Sequence, residues 1–221
     1  MPEVRVDPLT GLRTLTPGDA TAPAEDLFTA VPDRIVHTAV DGGPEAWRAA
    51  MREHPDAACL HLVAADAAAA DLYALDFVPA AIARERERFA AYATRTMGGN
   101  LLADLVQEEV RRRERLVAVD EEAVVFAPYA SRVTGQLLLA PRAPRARFQD
   151  AGPLGAALLA DVLARVAAPV DLWVRTAPRG AESFCWRIDI LPRATAGALE
   201  AGTGLGICTV APEDTAAALR D

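Results

Sequence analysis

The amino-acid sequence predicts an α+β protein in which an antiparallel sheet is packed against helices. Three observations lead there. Short apolar or alternating runs bounded by turn residues recur along most of the chain, as strands do. Six of them follow residue 114 with only one long helical pattern among them, whereas a parallel sheet would need a helix between each pair of strands. With 221 residues and 52% hydrophobic content, the chain can bury a real core as one large or two small domains.

The first 56 residues are rich in Pro, Gly, Asp and Thr and carry only two patterned pieces, a strand over 34–40 and a short helix over 44–52. Residues 57–63 (AACLHLV) read as a buried strand. The Ala-rich run 64–70 follows, then 72–78 (LYALDFV) as a second strand or turn. Residues 79–96 predict a helix, with Pro79 at a first helical position and Ile82, Phe89 and Tyr92 spaced along one face. Gly98 and Gly99 end it, and Asn100 caps a second amphipathic helix over 101–113, whose last turn holds Arg111, Arg112 and Arg113 against the helix dipole. Strands are predicted at 115–119, 123–128 and 136–139, a helix at 153–167, and further strands at 170–176, 183–191 and 206–210. Pro212 then opens a final helix with Glu213 and Asp214 in its first turn. This arrangement is expected to cover the sheet on one side.

Composition excludes several functions. All 23 basic residues are Arg, so Schiff-base chemistry and the Lys of a phosphate-binding Walker loop are impossible. A net charge of −8 and a pI near 5.0 argue against a nucleic-acid partner, which needs a basic surface. The opening seven residues lack the apolar run of a leader, and no window is apolar enough to span a membrane; the expectation is a cytoplasmic protein without a membrane partner. Cys59, Cys185 and Cys208 form no CxxC and are expected to be reduced thiols; no sequence feature calls for a cofactor.

Isolated motifs are few. Gly202, Gly204 and Gly206 lack dinucleotide-fingerprint spacing and read as a loop. The free amides after Gly98-Gly99 could cradle a phosphate, or the pair could simply break a helix. His37, His54 and His61 are scattered, and His61 alternates with apolar neighbours as a sheet-face residue would.

Five blocks taken together carry more: residues 7–15 (DPLTGLRTL), 72–85 (LYALDFVPAAIARE), 107–142 with QEEVRRRER, FAPYASR and QLLLAPR, 184–193 (FCWRIDILPR) with Glu200, and 212–220. In this order they resemble the galactose-1-phosphate uridylyltransferase family, a two-lobed branch of the histidine-triad superfamily. The resemblance implies a histidine-triad-like antiparallel sheet, with residues 1–113 as a truncated first lobe and linking helices and 114–221 as the second lobe. It also implies nucleotidyl transfer in galactose metabolism, UDP-sugars or hexose 1-phosphates as ligands, and a homodimer.

In that family a histidine of a His-x-His pair attacks the α-phosphorus of UDP-glucose and carries the uridylyl group to a hexose 1-phosphate. Here the stretch before Leu72 reads ADAAAAD, so the two histidine positions fall on Ala67 and Ala69 and the following glutamine position on Asp71, whose charge repels phosphate unless it is paired. The second-lobe metal positions fall on Glu85, Arg175, Cys185 and Arg187. A guanidinium has no lone pair for a metal, so Arg175 and Arg187 are expected to pair with Glu85 in the ion's place, or else to be separately solvated. Asp71, Tyr73 and Glu200 remain as substrate-binding positions. Three functions are compatible with these residues: a catalytically degenerate relative that still binds a nucleotide sugar or sugar phosphate, an active transferase using Cys185 or Asp71 as nucleophile, or a structural or dimerisation module.

Overall fold

The computed structural model describes residues 3–6, 13–16, 35–193, 197 and 203–220. Residues 7–12 of the first block, 7–15, and Glu200 therefore lie outside the described residues. Strands β1 (Glu3–Val6) and β2 (Arg13–Thr16) form a two-stranded antiparallel sheet, with Glu3 opposite Thr16. The remaining strands make one eight-stranded sheet: β3 (Ile35–Asp41), β4 (Cys59–Ala64), β5 (Ala69–Leu75), β6 (Leu116–Val119), β7 (Ala123–Phe126), β8 (Leu137–Pro141), β9 (Val170–Arg175) and β10 (Arg187–Pro192). Its spatial order is β3-β5-β4-β9-β10-β8-β7-β6, and every pairing is antiparallel.

Among the described residues, five helices accompany the sheet. Helix α1 (Pro44–Arg52) starts on a Pro, whose fixed φ suits the first turn, and carries Glu45 and Arg52 at the ends that the dipole favours. Its Trp47 and Met51, four residues apart on one face, are buried. Helix α2 (Ala80–Arg95) begins one place later than expected, with Pro79 as its N-cap. Helix α3 (Leu101–Arg112) is capped by Asn100, whose side chain accepts from the Ala103 amide at 3.1 Å. Helix α4 (Ala156–Arg165) follows Gly155, which has φ +63°; a Cβ there would lie 2.9 Å from that of Ala123, so only glycine fits the turn. Helix α5 (Pro212–Leu219) closes the described chain.

A topological repeat organises the sheet. The segment β3-α1-β4-β5 pairs in the order β3-β5-β4, and β8-α4-β9-β10 pairs in the order β8-β10-β9. The two units meet back to back where β4 pairs with β9. On one sheet face Leu60, Leu62, Leu72, Leu139, Leu172, Val174, Ile188 and Ile190 pack with Trp47 of α1, Leu159 of α4 and Ala216 of α5. On the other, Val124, Phe126, Leu138 and Ala140 pack under Phe89 of α2 and Leu102 and Val106 of α3.

Four expectations need correction. Helices cover both faces of the sheet at its β6–β8 end, so the four residues of β7 and the five of β8 are all buried and show no alternation to mark a second covered face. The strand expected at 72–78 occupies 69–75, because pairing with both β3 and β4 outweighs the low strand propensity of its Ala residues. The strand expected at 183–191 begins only at Arg187, and residues 183–186 form the loop that buries Phe184 and Cys185. Among the described residues the stretch 206–210 forms no strand and is joined to the rest by an isolated bridge, Ile207 with Val133.

Candidate functional site

Side chains alternate across a strand, so each rung of the sheet gathers residues distant in sequence on one face. One rung runs His37, Tyr73, His61, Arg175, Arg187, each the cross-strand partner of the next. The adjoining rung runs Ala39, Asp71, Val63, Trp173, Asp189. The core side chains of β4, β5, β9 and β10 occupy the opposite face, which leaves this face for polar chemistry.

At its β3–β5 end stand the positions that the resemblance assigns to catalysis. Ala67 lies in the bend between β4 and β5, and Ala69 is the exposed first residue of β5. Asp71 is exposed and lies 2.8 Å from Nε2 of His37, whose ring stacks on Tyr73 at 5.1 Å. Burial, then the nearby Asp71 charge, raises the Tyr73 hydroxyl pKa and keeps it protonated. The groove over this end is lined by Asp41, Asp71 and Asp171 against the single guanidinium of Arg193, itself bound to Asp171 at 2.8 Å. Three carboxylates and one committed cation make a poor seat for phosphate.

At the β9–β10 end the charges are buried. Arg187 donates from one nitrogen to both oxygens of Glu85, each at 3.1 Å, and from Nε to Asp189 at 3.3 Å. Arg175 faces Asp189 at 3.5 Å rather than Glu85, and neither its Nε nor the opposing Oδ2 has a hydrogen bond. Burial depresses both guanidinium groups; for Arg187 the carboxylates of Asp189 and Glu85 outweigh it and its pKa rises, whereas Arg175 remains lowered. Arg187 is thus the well-compensated cation of the pair. Arg175 and Arg132 each lie 5.3 Å from the centre of the Trp173 ring, whose π-face attracts cations.

This cluster does not fit a metal ion. Two of its members have no lone pair to give, and among the described residues no three His, Cys, Asp or Glu side chains converge. Cys185 lies apart from the rung, packed in the loop before β10 with Phe184 and Phe89. Burial pushes its thiol up to about 11, so it is protonated and poorly nucleophilic at neutral pH. His61 sits edge-on to Trp173 at 6.1 Å, and burial, reinforced by Arg175, lowers its pKa to about 4.

Asp189 joins this site without a motif to mark it. Its place two residues after Arg187 in the alternating run RIDI puts both on one strand face, and that signal could have found it. The alignment of His37 and His61 on one rung had no signal in the sequence, because it depends on the pairing of β3, β4 and β5.

No protein-family model matches the chain, and no curated protein matches it in sequence. Solved structures match its fold. A uridylyltransferase superposes with a TM-score of 0.79 at 15% identity, covering 100% of this chain and 98% of that one. An ADP-glucose phosphorylase from Arabidopsis thaliana, with bound ADP-glucose, gives 0.72 at 17% identity, covering 100% and 99%. A galt-like protein from Arabidopsis thaliana gives 0.69 at 20% identity, covering 80% of this chain and 67% of that one. The fold is therefore that of uridylyltransferase-like proteins, and its described helices are too short or too polar to cross a membrane.

Proposed function

We propose that this chain is a uridylyltransferase-like protein that binds a nucleotide sugar or hexose 1-phosphate without forming a covalent nucleotidyl intermediate. The supporting observation is the composition of the polar sheet face. Methyl groups stand at Ala67 and Ala69, and the two imidazoles on the face are committed: His37 lies against Asp71 and Tyr73, and His61 is packed between Tyr73 and Arg175. The alternative nucleophiles fare no better, since Cys185 is buried and protonated and Asp71 is tied to His37. In this reading residues 1–113 are a truncated first lobe and 114–221 a second, the protein is a cytoplasmic homodimer, and its ligands belong to galactose metabolism.

Incubation with radiolabelled UDP-glucose, followed by counting of acid-labile protein-bound label, is expected to leave the protein unlabelled. Stoichiometric label would establish a covalent intermediate and overturn the proposal. Thermal shift with UDP, UDP-glucose and galactose 1-phosphate is expected to raise the melting temperature, because a ligand that binds only the native state stabilises it. A flat response to all three would leave only a structural role.

A further inference from the structure

A pocket of about 210 Å³ opens at the end of the sheet where α1 stops and β4 begins, and no side chain of the two polar rungs lines it. Drug-sized ligands occupy roughly 300–1,000 Å³, so it has room for a small metabolite but not for a nucleotide sugar. Three Arg from three segments line it: Arg52 in the last turn of α1, Arg147 in the loop after β8 and Arg179 in the loop after β9. Among the described residues the one carboxylate in the lining is Asp150. Two positive charges are therefore in excess here, in a chain whose net charge is −8.

The walls are tied together. The amide of Ala177 donates to the carbonyl of Ala146 and that of Arg179 to Ala58, each at 3.0 Å, so the three loops are pinned to one another. The buried Thr176 hydroxyl accepts from the Phe148 amide at 3.0 Å and donates to Oε1 of Gln149 at 2.8 Å. The Gln149 carbonyl in turn accepts from Nε of Arg52 at 2.7 Å, which orients that guanidinium and leaves its terminal nitrogens to face a ligand. Among the described residues the guanidinium groups of Arg147 and Arg179 have no hydrogen-bond or ion-pair partner, and Asp150 pairs with none of the three. Cations held in place without counter-ions lower the ordering cost of binding an anion.

The charge excess calls for a dianion, and a guanidinium fork matches the two oxygens of a carboxylate. The lining also has an apolar part, Pro55, Ala57 and Ala58, which a hydrocarbon stretch covers and an inorganic oxyanion does not. We propose that this pocket binds a compact aliphatic dicarboxylate, with its carboxylates on Arg52, Arg147 and Arg179 and its methylene groups against Pro55, Ala57 and Ala58. The inference goes beyond the nucleotide-sugar reading and does not rest on it.

The test is isothermal titration calorimetry on the full chain with succinate, glutarate, butyrate and inorganic sulfate. A dicarboxylate is expected to bind, and butyrate and sulfate to bind at least about tenfold more weakly. Arg147→Gln and Arg179→Gln should each weaken the dicarboxylate at least about tenfold, because each removes one partner of a charged pair, and Asp150→Asn should tighten it by removing a competing carboxylate. Arg179 and Asp150 are exposed, so the unliganded Arg179→Gln and Asp150→Asn variants should melt with the wild type. No binding of either dicarboxylate, or binding that survives both Arg substitutions, would overturn the site. Sulfate as tight as the dicarboxylate would overturn the ligand class, butyrate as tight would overturn the need for a second charge, and displacement by UDP-glucose would overturn the separation from the sheet face.

Discussion

Asp189 is the side chain on which the buried charges converge: it is 2% exposed and takes one guanidinium at 3.3 Å and faces another at 3.5 Å. A carboxylate so placed depends on its cations, because removing one partner of a buried pair leaves a charge that the interior solvates badly. Arg187→Leu is therefore expected to destabilise the protein by about 3–5 kcal/mol in urea unfolding. The double variant Arg187→Leu/Glu85→Leu, which leaves Asp189 facing Arg175, should recover much of that loss; a double variant as unstable as the single would show that packing around Arg187, and not charge compensation, sets its cost. The two Arg were legible as residues that exclude a metal, since that follows from their chemistry alone. Their division of labour was not, because Arg187 reaches Glu85 across 102 residues of chain whereas the carboxylate that Arg175 faces is Asp189.

Helix α3 shows how an element joins local to distant structure. Asn100 caps it through Oδ1, while Nδ2 of the same side chain donates to the carbonyl of Ser183 at 3.1 Å, in the loop that leads into β10. Loss of an Asn cap costs about 0.5–2 kcal/mol. Asn100→Ala should reach the upper part of that range because the Ser183 bond is lost as well. Asn100→Asp keeps the acceptor and should cost less, and equal midpoints for the two variants in urea unfolding would show that the cap carries none of the stability. The cap was legible from Asn after two glycines and before an apolar run, as was the start of α1 at Pro44. The start of β5 was not, because its Ala residues read as neither helix nor strand and only their partners in β3 and β4 make them a strand.

At the scale of the whole molecule, the seam between β4 and β9 joins the two halves of the sheet, and His61 sits on it opposite Arg175. Burial, helped by that Arg, lowers the folded pKa of His61 to about 4, against about 6.5 in an unfolded chain. The unfolded state thus binds the proton more readily between those values. The stability that neutral His61 contributes is complete above pH 6.5 and is lost as pH falls toward 4, by at most about 3 kcal/mol. Urea unfolding of the wild type and of His61→Phe across pH 4–7 should show a shallower acid decline in the variant; parallel curves would place the acid sensitivity elsewhere. What the sequence determined by itself was local and compositional: an α+β chain, most helix starts, the absence of Lys, and the incompatibility of Arg with metal binding. These follow from the chemistry of single residues and from patterns within one element. The tertiary structure decided the rest: the repeat that merges both halves into one sheet, the cover on both faces, the rung from His37 to Arg187, and the choice of Asp189 as partner for Arg175. Each of these depends on strand pairing between segments far apart in the chain, which no window of sequence contains.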